Sequence, residues 1–444
     1  MSRSLSAPPS SRPARPAFIR PRPATDAISR IDDWMLAGCV LVMASYTLEG
    51  PLRFVLGMAG IGKLLYLRDL IIELTLLIAL YRGWMQRKPH QGPLLVGAVL
   101  VLVHVLIGAS SGESLVSLFL GYKIAAQFLY GMALGPVVRR RERDFFRLVL
   151  VCWALSVVGI VYQDNVEMLP WAGASWDTGF GAIGLTRLWW TNDGNLRYSG
   201  FARESFAAAM ILGLSGLWVM ARVQRWSLRA AVYAVTLAAV YYTTTKGMLQ
   251  GCLLAGFWLL LPIRRSEQLW LGRLAVTVLL VVGALLPLIV YGLDIGYGDA
   301  RSYPSIFFSL WDRFHTTWPI SFELLESPLA YFTGNGIGAI GTPQLFWHDA
   351  RRAVTPDNQF LYLYVTYGPA AIYYLYWLHR KAFGMPAEHP MAPAFIAVLL
   401  ALASYGITGN LLENAYAGLL LGLIAGHAQF EACARPATRS REPA

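Results

Sequence analysis

The sequence predicts an all-α, polytopic inner-membrane protein of about twelve transmembrane helices, with two long loops on one side. Three observations lead there. Of 444 residues, 56% are hydrophobic and only 14% charged, and the mean hydropathy is +0.47, well beyond a soluble globular chain. About twelve separate stretches hold the roughly 20 mostly apolar residues that a helix needs to cross the hydrocarbon core. The cations fall on every second connection, as they do where Lys and Arg stay on the cytoplasmic side.

Taken in order, residues 1–30 are rich in Arg, Pro and Ser. They lack an apolar core and a small-residue cleavage site, so a disordered cytoplasmic tail is expected, with the first span as an uncleaved insertion signal. Spans are expected at approximately 34–50, 64–81, 93–109, 115–138, 145–163, 201–221, 228–243, 246–263, 271–293, 358–378, 391–408 and 410–430. They make one transmembrane domain over 31–431, followed by a second tail over 432–444. The net charge of +11 does not point to nucleic acid, because 25 of the 37 Lys and Arg residues track this topology. They lie at Arg3 to Arg30, Arg82 to Lys88, Arg139 to Arg147, Arg222 to Arg229, Arg264 to Arg273, Arg380 with Lys381, and Arg435 to Arg441. Both termini are therefore expected in the cytoplasm. Cys39, Cys152, Cys252 and Cys433 sit in or beside spans, which supports neither a disulfide framework nor a cysteine zinc site.

Two outer loops, about 164–200 and 294–356, are long enough for structure of their own. Both are aromatic, with Trp171, Trp176, Trp189, Trp190 and Tyr198 in the first. In the second, Phe307, Trp311, Phe314 and Trp318 recur at one helical face. Such a helix is expected to lie flat in the outer interface. Its rings either form an interfacial belt or stack against sugar rings; the spacing suits both.

Outer cations are scarce, and those at span ends present donors at the depth of a lipid phosphate. They are Arg53, Lys63, Arg68, Arg187, Arg197, Arg203, Lys246, Arg301, Arg313, Arg351 and Arg352, with Lys123 deep in the fourth span at a depth that matches Glu73. A Glu73–Lys123 ion pair is expected from that match. The stretch "TPDNQFLYLYVTYGPAA" places Asp357 and Asn358 where an apolar run begins. Asp357 reads either as the N-cap of the tenth span or as a chemical group at its mouth. No two aspartates are separated by one residue, and Walker A, dinucleotide and His-Glu-x-x-His motifs are missing. Any chemistry is therefore expected to use neither nucleotide nor cofactor nor metal.

With these motifs in order, the chain resembles the O-antigen ligase and Wzy-type O-antigen polymerase superfamily of the bacterial inner membrane. "RYSGF" looks like that family's Arg and Gly before a mid-chain span, at Arg197 and Gly200. "TTKG" looks like its Ser-Arg-Gly turn, with Lys246 in the arginine's place. "RFHTTW" and "SPLAYFTGNGIGAIG" resemble its loop pattern at Arg313, Trp318, Pro328, Gly334, Gly336 and Gly338. Ligases carry a His, then Asn, Ser or Gln, then nine residues and Gly; here Asp357, Asn358 and Gly368 keep the spacing, with Asp in place of His. The likeness covers about Arg197 to Ala371, and the first five spans match in hydropathy alone.

The resemblance implies periplasmic glycosyl transfer from an undecaprenyl-pyrophosphate-linked oligosaccharide, with the lipid bilayer, a flippase and a chain-length regulator as partners. Breaking the anomeric bond releases a dianion that fixed cations stabilise, and the acceptor hydroxyl needs a base. The candidates are Arg197, Arg203, Lys246 and Arg313 for the pyrophosphate, and Asp357 for the base or its orienter, with Glu204 and His348 competing. Gly336, Gly338, Asn358 and Trp318 complete the substrate-binding set. The missing histidine favours a polymerase over a ligase. A flippase or transporter is the other class, although its cations usually line the membrane interior.

Overall fold

A computed structural model describes residues 23–86, 91–166, 168–172, 175–177, 182–184, 187–191, 194–293, 308–346, 353 and 356–434. The chain is helical apart from one small hairpin. Helix α1 (Pro23–Thr47) turns by 88° into α2 (Glu49–Met58), and a 3-10 turn (Gly62–Tyr66) leads to α3 (Leu67–Gln86). Then come α4 (Gly92–Ser110), α5 (Leu115–Arg140) and α6 (Glu142–Asp164). Strands β1 (Ser175–Asp177) and β2 (Ala182–Gly184) pair antiparallel, with Trp176 opposite Ile183. Helices α7 (Ser205–Arg222), α8 (Trp226–Tyr242), α9 (Lys246–Leu260) and α10 (Arg265–Gly292) follow. The next connection carries α11 (Phe308–Asp312), a π-helical turn (Arg313–Thr317), α12 (Trp318–Glu323), α13 (Ala330–Thr333) and a 3-10 turn (Thr342–Phe346). The chain ends with α14 (Gln359–Tyr367), α15 (Pro369–Phe383), α16 (Ala392–Gly406) and α17 (Ala415–Ala434).

Each of the twelve apolar stretches includes helix, and among the described residues five helices (α4, α5, α6, α7 and α10) are long and apolar enough to cross a membrane. The bent pair α1 and α2 makes up to six, and α9 and α16 are shorter apolar helices. Three stretches differ from the expectation. The first bends after Thr47. The tenth is two helices broken at Gly368, whose φ of +64° and absent side chain let Phe332 O approach. The last begins its helix only at Ala415, leaving Asn410 to Asn414 as a turn. Hydropathy averaged over 20 residues does not register a break of five. Of the expected tail over 1–30, residues 1–22 lie outside the described residues, and α1 already runs from Pro23.

Packing follows from small residues. Helices α5 and α17 run in close contact because Gly131 and Gly135 face Gly422 and Gly426. A Cβ on Gly422 would meet Phe128 O at 1.9 Å, and one on Gly131 would meet Leu419 O at 2.0 Å. Close backbone approach of this kind is how apolar helices associate where no hydrophobic driving force separates helix from lipid. Helix α7 is the most enclosed of the five; its Trp218 packs edge-on against Phe145 and Phe395, with centroids 5.4 and 5.5 Å away. Cys39, Cys152 and Cys252 are buried and Cys433 is exposed; all four are free.

The expected aromatic helix forms, from Phe308 to Glu323, with its aromatic face packed against the protein. Trp318 is fully buried, with Phe314 against it at 5.1 Å. It therefore cannot offer a face to a sugar. Phe307 and Trp176 fall outside what the structure describes in side-chain detail.

Candidate functional site

The stretch "RYSGFARESF" shows how the chain delivers charge to one end of the bundle. Gln163, in the last turn of α6, accepts from the backbone N–H groups of Ser199 (2.9 Å) and Gly200 (2.8 Å). Gly200 takes φ +54° and lies against Gly159, where any Cβ would sit 2.9 Å from a backbone carbon. Phe201 then packs against Tyr162 and Trp171, and its carbonyl accepts from Gly50 N at 2.9 Å. The connection into α7 is thus tied to the α1–α2 bend, and Arg203 and Glu204 arrive beside α2.

There a cavity of about 210 Å³ collects Arg53, Arg68, Lys123 and Arg203 with Glu49, Glu204 and Glu413. Glu49 accepts from Arg53 at 2.6 Å and lies 3.5 Å from Arg68. Arg68 is stacked over Tyr46, 4.3 Å from its ring centre. Lys123 is held by Asp69 at 2.7 Å, and Arg187 lies 3.7 Å from Glu204. Nε of Arg203 is buried with no hydrogen-bond partner, and Nη1 and Nε of Arg68 make no hydrogen bond either, although they lie 3.5 Å from Glu49 and 3.8 Å from Asp69. Buried guanidinium N–H groups without acceptors are costly in a protein interior, so the cavity favours an anion. A larger apolar groove of about 350 Å³, along Leu80, Trp84 and Leu102, carries no charged group.

The expected Glu73–Lys123 pair does not form. Lys123 pairs with Asp69, one helical turn earlier on the same face of α3, and Glu73 accepts from Tyr122 Oη at 2.6 Å. Depth matching found the face but not the turn.

Glu413 enters the cavity from the turn between α16 and α17. Its carboxylate accepts from Thr342 N (3.0 Å) and Thr342 Oγ1 (2.8 Å). Gly341 leaves room for it, since a Cβ there would meet Glu413 Oε1 at 2.3 Å. Burial pushes the Glu413 carboxyl up, and the two Thr342 bonds oppose that.

The stretch "PDNQ" divides its work residue by residue. Asn358, not Asp357, is the N-cap of α14: its Oδ1 accepts from Phe360 N and Leu361 N, both at 2.9 Å. Its Nδ2 donates to Gly283 O and Ile407 O, both at 3.0 Å, so every polar atom of this buried side chain is used within the fold. That corrects its assignment to substrate binding. Gln359 accepts from Leu411 N (2.7 Å) and Leu412 N (3.0 Å), which fixes the turn carrying Glu413. Asp357, freed from capping, takes φ +49° and lies 3.2 Å from Arg313 Nη2. Its side chain is 41% exposed. Burial raises its carboxyl above the usual range, with the Arg313 charge opposing.

The glycine run has a structural role at Gly336 and Gly338, where the backbone packs too closely for a side chain. A Cβ on Gly336 would lie 2.2 Å from Gly108 N, and one on Gly338 would lie 2.8 Å from the Ser117 carbonyl carbon. The loop lies against α5 at Gly338 and is bonded to α4 and α14, with Ile337 N donating to His104 O and Gly336 N to Thr366 O. Of the remaining candidates, Arg197 lies over the Phe206 ring at 5.5 Å. Lys246 is the exposed first residue of α9, and its neighbour Gly247 packs on Tyr405. His348 lies outside the described residues.

Sequence reasoning thus named Arg203 and Glu204, which line the cavity, and Arg313 and Asp357, which the structure pairs although their expected roles were separate. It left Arg53 and Arg68 as outer cations without a role, and it missed Glu49 and Glu413. The signal for Arg53 and Arg68 was their scarcity; Glu413 was hidden inside a stretch taken for helix. Set against known proteins, the chain matches no family model and no curated protein.

Proposed function

We propose that this is a polysaccharide polymerase of the bacterial inner membrane, joining undecaprenyl-pyrophosphate-linked repeat units on the periplasmic side of about twelve spans. The observation that carries the reading is the cavity with buried guanidinium N–H groups that make no hydrogen bond, walled by carboxylates and set among apolar helices. A pyrophosphate leaving group satisfies those donors, and its charge grows as the anomeric carbon–oxygen bond breaks, so cations already in place lower the barrier. Arg203 and Arg68 meet the pyrophosphate, with Arg53 and Lys123 behind them. The acceptor hydroxyl attacks the anomeric carbon and yields its proton to Asp357, which Arg313 orients; Glu204 and Glu413 are the competing bases.

Deletion of the gene, followed by sizing of surface and secreted glycan, separates the classes. Single repeat units without long polymer support the polymerase. Full-length polymer that fails to reach lipid A core would mean a ligase, and lipid-linked units trapped on the cytoplasmic face a flippase. For the cavity, Arg203→Ala at normal protein level is expected to abolish high polymer; unchanged polymer length would overturn the anion role.

A further inference from the structure

At the opposite end of α17 from the cavity, three side chains gather that the proposed chemistry does not use. His427 and Glu431 are one turn apart on the same face of α17, and His389 comes from the connection between α15 and α16. Their ligating atoms all lie within 4.8 Å of one another. His427 has no exposure, and neither of its ring nitrogens has a hydrogen-bond partner; Nε2 of His389 has none either, with Glu431 Oε1 at 3.6 Å. A neutral imidazole carries one donor and one lone pair, so His427 holds both unsatisfied in the interior. Buried polar groups of that kind call for a ligand.

We propose that His389, His427 and Glu431 form a binding site for a divalent first-row metal, with zinc as the fitting ion. Two imidazoles and one carboxylate are a donor set that zinc takes in tetrahedral geometry. Bonds of about 2.0–2.1 Å set ligand atoms about 3.3 Å apart, so separations in the cluster close by up to about 1.5 Å when it binds. The surroundings already orient it. Arg139, in the last turn of α5, bonds Glu431 Oε1 and orients the carboxylate. Arg265 Nη2 donates to the His389 carbonyl at 2.8 Å and fixes that turn. His389 Nδ1 accepts from Met391 N at 3.2 Å, which puts the ring hydrogen on Nε2. On binding, that hydrogen moves to Nδ1 and this long hydrogen bond is given up. The metal then staples the α15–α16 connection to α17 and, through Arg139, to α5.

The test uses the full chain purified without a polyhistidine tag, stripped with EDTA and titrated with Zn²⁺ or Co²⁺. One ion per chain is expected, with the visible absorption of four-coordinate cobalt and a raised thermal midpoint. His427→Leu and Glu431→Gln are expected to weaken binding by about a hundredfold or more, and Arg139→Leu by about tenfold. A wild-type chain that takes up no stoichiometric ion overturns the site, as does His427→Leu binding like wild type. Should His427→Leu fail to fold, His389→Gln, in a turn rather than a packed helix, is expected to show the same loss; wild-type affinity there also overturns the site. None of these readouts depends on glycan synthesis.

Discussion

Asp357 and Asn358 are both good capping residues, and which one caps is decided by backbone angles that a sequence does not display. Asn358 is extended at φ −152° and closes the first turn of α14, whereas Asp357 at φ +49° turns its carboxylate toward Arg313. The two therefore fail differently. Asn358→Ala removes a cap and strands Gly283 O and Ile407 O, at a cost of about 2 kcal/mol or more, read as a lower thermal midpoint in detergent. Asp357→Asn is expected to leave that midpoint within about 0.5 kcal/mol of wild type while high polymer disappears. The pH dependence has a definite sign. A base works ionised, and burial raises the Asp357 carboxyl, so activity falls as pH drops through a value above the ordinary aspartate range of about 3.9. Arg313 opposes the rise, so Arg313→Ala moves the acid limb further up; a limb that stays put in single-turnover assays across pH would remove Asp357 as the base. Arg203 and Glu204 were legible because charge is rare where a span begins. Glu413 was not, because one carboxylate in an apolar run does not announce a break in the helix.

At the level of elements, glycine positions separate backbone strain from close packing. Gly112 and Gly336 have nearly the same φ, +83° and +87°. A Cβ on Gly112 meets nothing within 4 Å, whereas one on Gly336 meets Gly108 N at 2.2 Å. Gly112→Ala should therefore cost about 1–2 kcal/mol, from the left-handed conformation alone. Gly336→Ala adds a clash with α4 and is expected to cost ~3 kcal/mol or more, measured by thermal unfolding of the two variants side by side. Equal losses would mean that the loop is not seated against α4. This is also where the sequence reading reached its limit. The hydropathy pattern located every long helix, because lipid exposure demands a continuous apolar run. It could not show that the Gly-x-Gly-x-Gly run serves helix packing, since positive φ and close approach look the same in a string of letters as a phosphate-binding loop.

For the molecule as a whole, the arginine cluster that suggested topology becomes a physical junction. Arg140 donates to Asp32 at 2.5 and 2.8 Å, Arg141 pairs with Asp33, and Arg139 bonds Glu431. Arg222 meets Glu142 at 2.7 Å on the same side. Asp32 and Asp33 of α1, the α5–α6 corner and the end of α17 therefore share one face. The exposed Arg141–Asp33 pair adds little stability, about 0–1 kcal/mol, but a face so rich in cations is expected on the cytoplasmic side. The native cysteines provide the measurement. Cys433 is exposed near the end of α17, while Cys39, Cys152 and Cys252 are buried. A membrane-impermeant maleimide should leave intact spheroplasts unlabelled and should label inverted vesicles at one cysteine per chain, with Cys433→Ser abolishing the signal. Labelling of Cys433 in intact spheroplasts would turn the molecule over and put the anion cavity on the cytoplasmic side, where a periplasmic polymerase could not use it.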